Sequence, residues 1–255
     1  MTARLARIVS SVTAIVAAVA CSSYYEIAIE TPIRPKLDVS AFQRIFVAGF
    51  IAGGTEDVDG NLETTRLLRS QLRTKSEMRV IDSDVLPLMD VALEGRDAPN
   101  TSPDARPAAP AAIKEDSDLE VYEHLFANVD YWKRIGEEYQ QPLIVTGTVM
   151  FAPQARSGIV QRDQEVYDSF GRRRVVPVRT YMERKGFVLK PRFIFIDGRT
   201  GTILHSENFR EEILYNANQT SPALSSYFEL MDRLIPSFLS TLSSQRIKGT
   251  RILLQ

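Results

Sequence analysis

The sequence predicts an α/β fold of the α+β type: a single domain with a mixed sheet packed by helices, plus a protruding β-hairpin. Three observations carry this. Apolar, β-branched runs alternate with segments of helical spacing, which sets helices against a sheet. Two of the runs, residues 187–196 and 202–209, are joined by the turn Asp197-Gly198-Arg199-Thr200-Gly201 and read as antiparallel neighbours. A charged segment, residues 155–185, lies between two strand-like runs and reads as a hairpin leaving the body.

The elements follow in order. Residues 24–30 mix Tyr and Ile in a strand-like way. Residues 44–51 (RIFVAGFI) form a continuous apolar run and read as a buried strand. After the loop Ala52-Gly53-Gly54, Asp59 or Asn61 is placed to cap a helix, and Glu63 favours its first turn. Leu62, Thr65, Leu68 and Leu72 make one stripe along that helix, which runs to Lys75. Residues 78–82 (MRVID) read as a short strand, and residues 84–93 as a helix limited by Pro87. Residues 119–139 carry Tyr122, Leu125, Phe126, Val129, Trp132 and Ile135 at helical spacing before Pro142. Residues 143–151 (LIVTGTVMF) are a strong strand, and Pro191 in residues 187–196 points to an edge or a bulge.

Ser221 and Pro222 open the last helix as cap and first residue. Its predicted buried face is Leu224, Phe228, Met231, Leu234 or Ile235, Phe238 and Leu242, with Pro236 a kink rather than an end. Residues 250–254 are a last strand-like stretch.

The chain begins with a short basic stretch, Arg4 and Arg7, then uncharged apolar residues 8–20, then Cys21, its only cysteine. This order predicts an export signal over residues 1–20. A spanning helix needs about 20 apolar residues, whereas residues 8–20 are fewer and include Ser10, Ser11 and Thr13. The cut Ala18-Val19-Ala20-Cys21 resembles the lipobox of bacterial lipoproteins. That resemblance implies cleavage before Cys21, acylation of its thiol with a palmitate-like chain, and acylation of the new amino group. Two chains hold a protein firmly to a membrane. An ordinary cleaved signal is the alternative, and it leaves an unpaired thiol in an oxidising compartment. Ser22 and Ser23 lack the aspartate that retains some lipoproteins at the inner membrane, which implies the outer membrane, facing the periplasm.

Residues 21–255 then form one periplasmic domain. Its charges nearly cancel, with a net of −1 for the whole chain, so no general affinity for nucleic acid is expected. Residues 96–118 (RDAPNTSPDARPAAPAAIKEDSD) carry four prolines and few large apolar groups. They read as a disordered insertion, either simply tolerated or serving as a partner-binding strap.

No catalytic constellation stands out. Gly53-Gly54 lies where phosphates often bind, but no phosphate-loop pattern accompanies it. His124 and His205 have no ligand-like spacing, so no metal and no cofactor are expected. Asp197 reads as a turn residue, and Asp82 and Asp84 as helix-capping carboxylates. The strongest surface feature is basic: Arg172, Arg173, Arg174, Arg179, Arg184 and Lys185, interleaved with Tyr167, Phe170 and Tyr181. One reading is a contact surface for anionic lipid headgroups, glycan carboxylates or an acidic partner. The other is a solvated hairpin whose charges guard an edge.

The run VAGFIAGG, the strand MRVID, the residues Ile144-Val145-Thr146-Gly147 and the hairpin FIFIDGRTGTILHSE resemble the curli secretion channel subunit CsgG and its relatives. The relatives include the amino-terminal domain of TolB and lipoprotein activators of penicillin-binding proteins. The resemblance covers residues 42–212 without the insertion. It implies an α/β domain without catalysis, acting by assembly or partner binding. The pore-forming branch spans the membrane with β-hairpins, and here residues 155–185 carry charge on both parities, with Pro177 interrupting the apolar run Val176, Val178, Thr180, Met182. The expectation is therefore a membrane-anchored, non-enzymatic interaction module. A channel subunit is the alternative, and an envelope enzyme the remote one.

Overall fold

The run at residues 44–51 is buried from Ile45 to Ile51, an interior strand of a mixed sheet. The structure, a computed structural model, describes residues 24–94, 113–216, 219 and 221–254. The export signal, Cys21 and residues 96–112 of the predicted insertion lie outside the described residues. The elements are β1 (Tyr24–Ile33), β2 (Arg44–Gly54), α1 (Gly60–Lys75), β3 (Arg79–Val80), α2 (Leu88–Glu94), α3 (Asp116–Glu120) and α4 (Glu123–Phe126). They continue with α5 (Val129–Glu138), β4 (Leu143–Tyr167), β5 (Arg173–Asp197), β6 (Ile203–Asn208), β7 (Glu211–Asn216), α6 (Ala223–Leu242) and β8 (Gln245–Leu254).

The main unit spans residues 36–242. Its sheet runs β3-β2-β4-β5-β6, with β7 also on β5. β2 is parallel to β3 and β4, and every other pairing is antiparallel, so the sheet is mixed as predicted. Its two faces carry separate cores. On one, Val47, Val145, Leu189 and Phe193 meet Leu68 and Leu72 of α1 and Leu230, Leu234 and Phe238 of α6. On the other, Phe46, Ile144 and Ile194 meet Leu88 of α2, Leu125 of α4 and Trp132 of α5. Alternation along a strand sends successive side chains to opposite faces. Gly49, at φ 132°, breaks that rule: the register with β4 shifts there, so Val47 and Phe50 share a face.

The second unit is made of the chain ends. β1 and β8 pair antiparallel from Tyr24 opposite Leu254 to Ile33 opposite Gln245. Lys248 sits opposite Glu30 and their side chains approach to 3.6 Å.

Several expectations need correcting. The predicted helix over residues 84–93 starts only at Leu88, because a residue before proline is pushed out of the helical region. The single helix over residues 119–139 is three helices, α3, α4 and α5. Asn128 makes the last break by capping α5, its side chain accepting from the Tyr131 N–H at 3.1 Å. The Trp132 indole N–H then donates to the Leu125 carbonyl at 2.9 Å, and Val129, assigned to the buried stripe, is exposed. In α6 the buried residue is Tyr227, not Phe228, and Leu224 is exposed as well. Tyr227 can be buried because its hydroxyl is shared between the Thr64 hydroxyl and the Gly60 carbonyl.

β5 is not an edge at Pro191, since it lies between β4 and the β6–β7 side. Proline fits because β6 ends at Asn208 and β7 starts at Glu211, leaving a gap opposite it. Within that gap the Phe209 N–H donates to the Pro191 carbonyl at 2.9 Å. The far end of the predicted disordered insertion is ordered: Ile113 is buried, and α3 occupies residues 116–118 of it and continues to Glu120.

Candidate functional site

β4 and β5 are each 25 residues long, and the sheet uses only part of that length. Residues 143–151 are buried, whereas residues 155–167 are exposed throughout. β7 covers β5 only from Arg184 to Leu189. Beyond it, eleven register pairs, from Ser157 opposite Glu183 to Tyr167 opposite Arg173, form a free two-stranded arm. At about 3.4 Å per residue the arm is roughly 35 Å long. The predicted hairpin is present, and Pro177 does not interrupt it: it pairs with Asp163 in unbroken register. A two-stranded ribbon has two open edges, and proline is tolerated where its missing N–H would face one.

The tip is ordered by Asp168. Its carboxylate accepts from the N–H groups of Phe170 and Arg172 at 2.9 Å each, and from the Arg172 guanidinium at 2.9 Å. The bond from the Arg172 N–H leads in holding the Asp168 carboxyl below its ordinary range. Gly171 supplies the left-handed φ, 74°, that closes the turn. Phe170 is 81% exposed, with the Arg172 guanidinium 5.3 Å from its ring centre.

Side chains directly opposite each other share a face. The register therefore sorts the arm into two surfaces. One carries Val160, Val166, Val176, Val178, Thr180 and Met182 together with Arg156, Arg162, Arg174 and Arg184, and no carboxylate. The other carries Asp163, Glu165 and Glu183 with Arg173, Arg179 and Lys185, beside Ile159, Tyr167, Val175 and Tyr181. Ile159 is 72% exposed.

The six predicted contact residues are thus all on the arm, its root or its tip, but they do not form one patch. Arg173 pairs with Glu165 at 2.7 Å, Lys185 with Glu183 at 3.2 Å and Arg172 with Asp168 at 2.9 Å. Arg174 and Arg184 stand on the opposite surface from Arg179. Arg162, which the sequence did not single out, stands with Arg174 and Arg184, and none of the three has a carboxylate within ion-pair range among the described residues. Arg156 shares their face but is paired with Glu212 of β7 at 2.9 Å. Parity separates Arg162 from Asp163 and Glu165 within β4, and Arg174 and Arg184 from Glu183 within β5, but only the register joins the two arginine-bearing sets on one face.

The other candidates resolve into structural roles. Gly53 lies under Ile113, whose side chain a Cβ would strike, and the Gly54 N–H donates to the Ile113 carbonyl at 2.8 Å. The glycine loop thus packs against the chain. Asp59 caps α1, accepting from the Leu62 N–H at 2.9 Å, while Asn61 accepts from the Phe50 N–H at 2.7 Å. His124 lies between the carbonyls of Val121 (3.0 Å) and Ala92 (3.1 Å), and His205 beside Glu207 at 3.4 Å. Asp82 pairs with Arg73 at 2.9 Å rather than capping a helix. Asp197 accepts from the Arg199 N–H at 2.8 Å, a turn residue as predicted. Among the described residues no cluster of three His, Cys, Asp or Glu is placed to hold a metal, and no helix is long and apolar enough to cross a membrane.

No family model matches the chain, and no curated protein matches it. Solved structures similar at low identity include the following two. The lipoprotein GNA1162 from Neisseria meningitidis is 10% identical, over 77% of this chain and 97% of that one, with a TM-score of 0.33. A neuraminyllactose-binding hemagglutinin homolog from Helicobacter pylori is 8% identical, over 82% and 86%, with a TM-score of 0.34. Both scores lie below the level that marks a shared fold, and neither structure is named for the curli-channel or TolB group.

Proposed function

We propose that the chain is a lipid-anchored cell-envelope protein, a non-enzymatic interaction module whose arm, residues 155–185, is its contact element. The observation that carries this is the concentration of exposed apolar and cationic side chains on the arm. Ile159, Tyr167, Phe170, Val175, Val176 and Tyr181 all lie there, on the same arm as Arg162, Arg174 and Arg184, which have no carboxylate in ion-pair range among the described residues. Large exposed apolar groups gathered in one place mark interaction sites. The anchor is Cys21 after the export signal, and the location is the outer membrane facing the periplasm. A two-part experiment tests the reading. Radiolabelled palmitate should enter the chain in cells and be lost in Cys21→Ser, which should leave the membrane fraction. A photocrosslinking residue in place of Phe170 should capture envelope components, and the same group at Arg66 on α1 should not. Label retained without Cys21, or equal capture from both positions, would overturn it.

One observation favours a channel subunit as the second reading. The arm's eleven pairs reach the length of about 9–11 residues that a spanning strand needs. Against it, Arg162 lies midway along one face, where arginine at a bilayer midplane costs about 2–4 kcal/mol. Light scattering on detergent-extracted protein separates the two: a large uniform ring favours the channel, a monomer or small oligomer the module.

A further inference from the structure

We infer that the carboxylate-free face of the arm lies flat on an anionic lipid surface. This deepens the contact-arm reading above and rests on it. The face presents Arg162, Arg174 and Arg184 without a neutralising partner among the described residues, set among Val160, Val166 and Val176. Every carboxylate of the paired arm, Asp163, Glu165 and Glu183, points the other way, and there two of them already neutralise Arg173 and Lys185. The charge is therefore segregated across the ribbon rather than spread to solubilise it. Arg184 stands directly opposite Arg156, whose charge Glu212 of β7 already neutralises at 2.9 Å, so Arg184 is the member of that pair left to meet an external anion.

The spacing selects the kind of anion. Along β5 the three charges fall at the levels of residues 184, 178 and 174, since Arg162 is opposite Val178. They are therefore about 20 Å and about 14 Å apart. No small anion bridges them, and each spacing exceeds the screening length of about 10 Å in 0.1 M salt. A plane of headgroups meets all three independently while the valines enter the headgroup boundary, as amphipathic elements do on anionic membranes. A two-stranded ribbon alone in water is marginally stable, and such a surface supports it along its length. Arg162, midway along, opposes full insertion and holds the arm at the interface.

The test is vesicle flotation with the full chain carrying Cys21→Ser, so that no acyl chain contributes. It should bind vesicles of phosphatidylcholine mixed with phosphatidylglycerol, ignore vesicles of phosphatidylcholine alone, and release in high salt. Replacing Arg162, Arg174 and Arg184 together with Gln should weaken binding by about 100-fold, at roughly fivefold per arginine. The same three changed to Lys should keep binding, because a lipid plane reads charge rather than guanidinium geometry. Arg173→Gln, Arg179→Gln and Lys185→Gln remove the same charge from the other face and should leave binding within about twofold. Equal binding to both vesicle types, equal loss from the two Gln sets, or loss in the Lys set overturns the proposal. If vesicles are ignored while the Phe170 crosslinker still captures envelope proteins, the lipid proposal falls and the contact-arm reading stands.

Discussion

Arg69 of α1 donates its Nη2 to the carbonyl of Val47, 2.8 Å away, two residues before the Gly49 bulge in β2. The same guanidinium reaches the Ser83 carbonyl after β3. Burial, partly offset by Asp82, lowers its pKa from the usual arginine value. One side chain thus secures two backbone carbonyls where regular strand pairing is interrupted. Arg69→Met should keep much of the packing and leave both carbonyls without a donor. Hydrogen bonds to a charged group contribute about 1.5–3 kcal/mol, so a loss of about 2–3 kcal/mol is expected in urea unfolding.

Tyr227 is fully buried, and burial raises its hydroxyl pKa well above the ordinary tyrosine value. The folded state therefore holds this proton more tightly than the unfolded state. The resulting stability is complete below the unfolded pKa of about 10 and is lost as pH rises beyond it. Tyr227→Phe should cost about 1 kcal/mol at neutral pH. It should also flatten the fall in stability above pH 10, about one proton less in the slope. Denaturant unfolding across alkaline pH measures both.

Glu207 behaves in the opposite sense. Burial pushes its pKa up, but hydrogen bonds from Lys36, His205 and Thr241 outweigh it, and the net shift is downward. Its contribution is present above the unfolded carboxylate value and lost as pH falls through the folded one. Glu207→Gln should lower stability at pH 7 and make the acid limb of the stability curve shallower.

Two glycines should answer the same substitution differently. At Gly136 of α5, an added Cβ would lie 1.7 Å from the Gly198 carbonyl oxygen, so helix and turn must separate. At Gly158, on the arm, a Cβ meets nothing within 4 Å. Gly136→Ala should destabilise by about 1–3 kcal/mol or more, and Gly158→Ala by less than about 0.5 kcal/mol. Thermal unfolding of the two variants is the comparison.

The arm should be dispensable for folding. Replacing residues 157–183 by Asn-Gly between Arg156 and Arg184 removes none of the buried core. The remaining unit should unfold within about 1 kcal/mol of the full chain, while losing whatever the arm binds.

The regular, periodic parts of this fold were legible in the sequence. The run at residues 44–51, the strand at 143–151 and the antiparallel mate after Asp197 follow from strong local patterns. What was not legible depended on pairing between distant residues. Nothing near Tyr24 specifies Leu254 as its partner. Nothing near Phe228 tells that Tyr227, one position earlier, finds Thr64 in α1. The arm shows both cases. Its existence was readable, but its two faces appear only once the register sets Arg162 opposite Val178 and Glu165 opposite Val175. Net charge summed over a segment hides that division.

β4 and β5 pass from the buried sheet into the arm without a register shift, from Leu143 opposite Asp197 to Tyr167 opposite Arg173. The arm consequently has no elbow. The path from Phe170 to the buried pair of strands between β2 and the β6–β7 side is therefore two continuous hydrogen-bonded ladders with no linker between them.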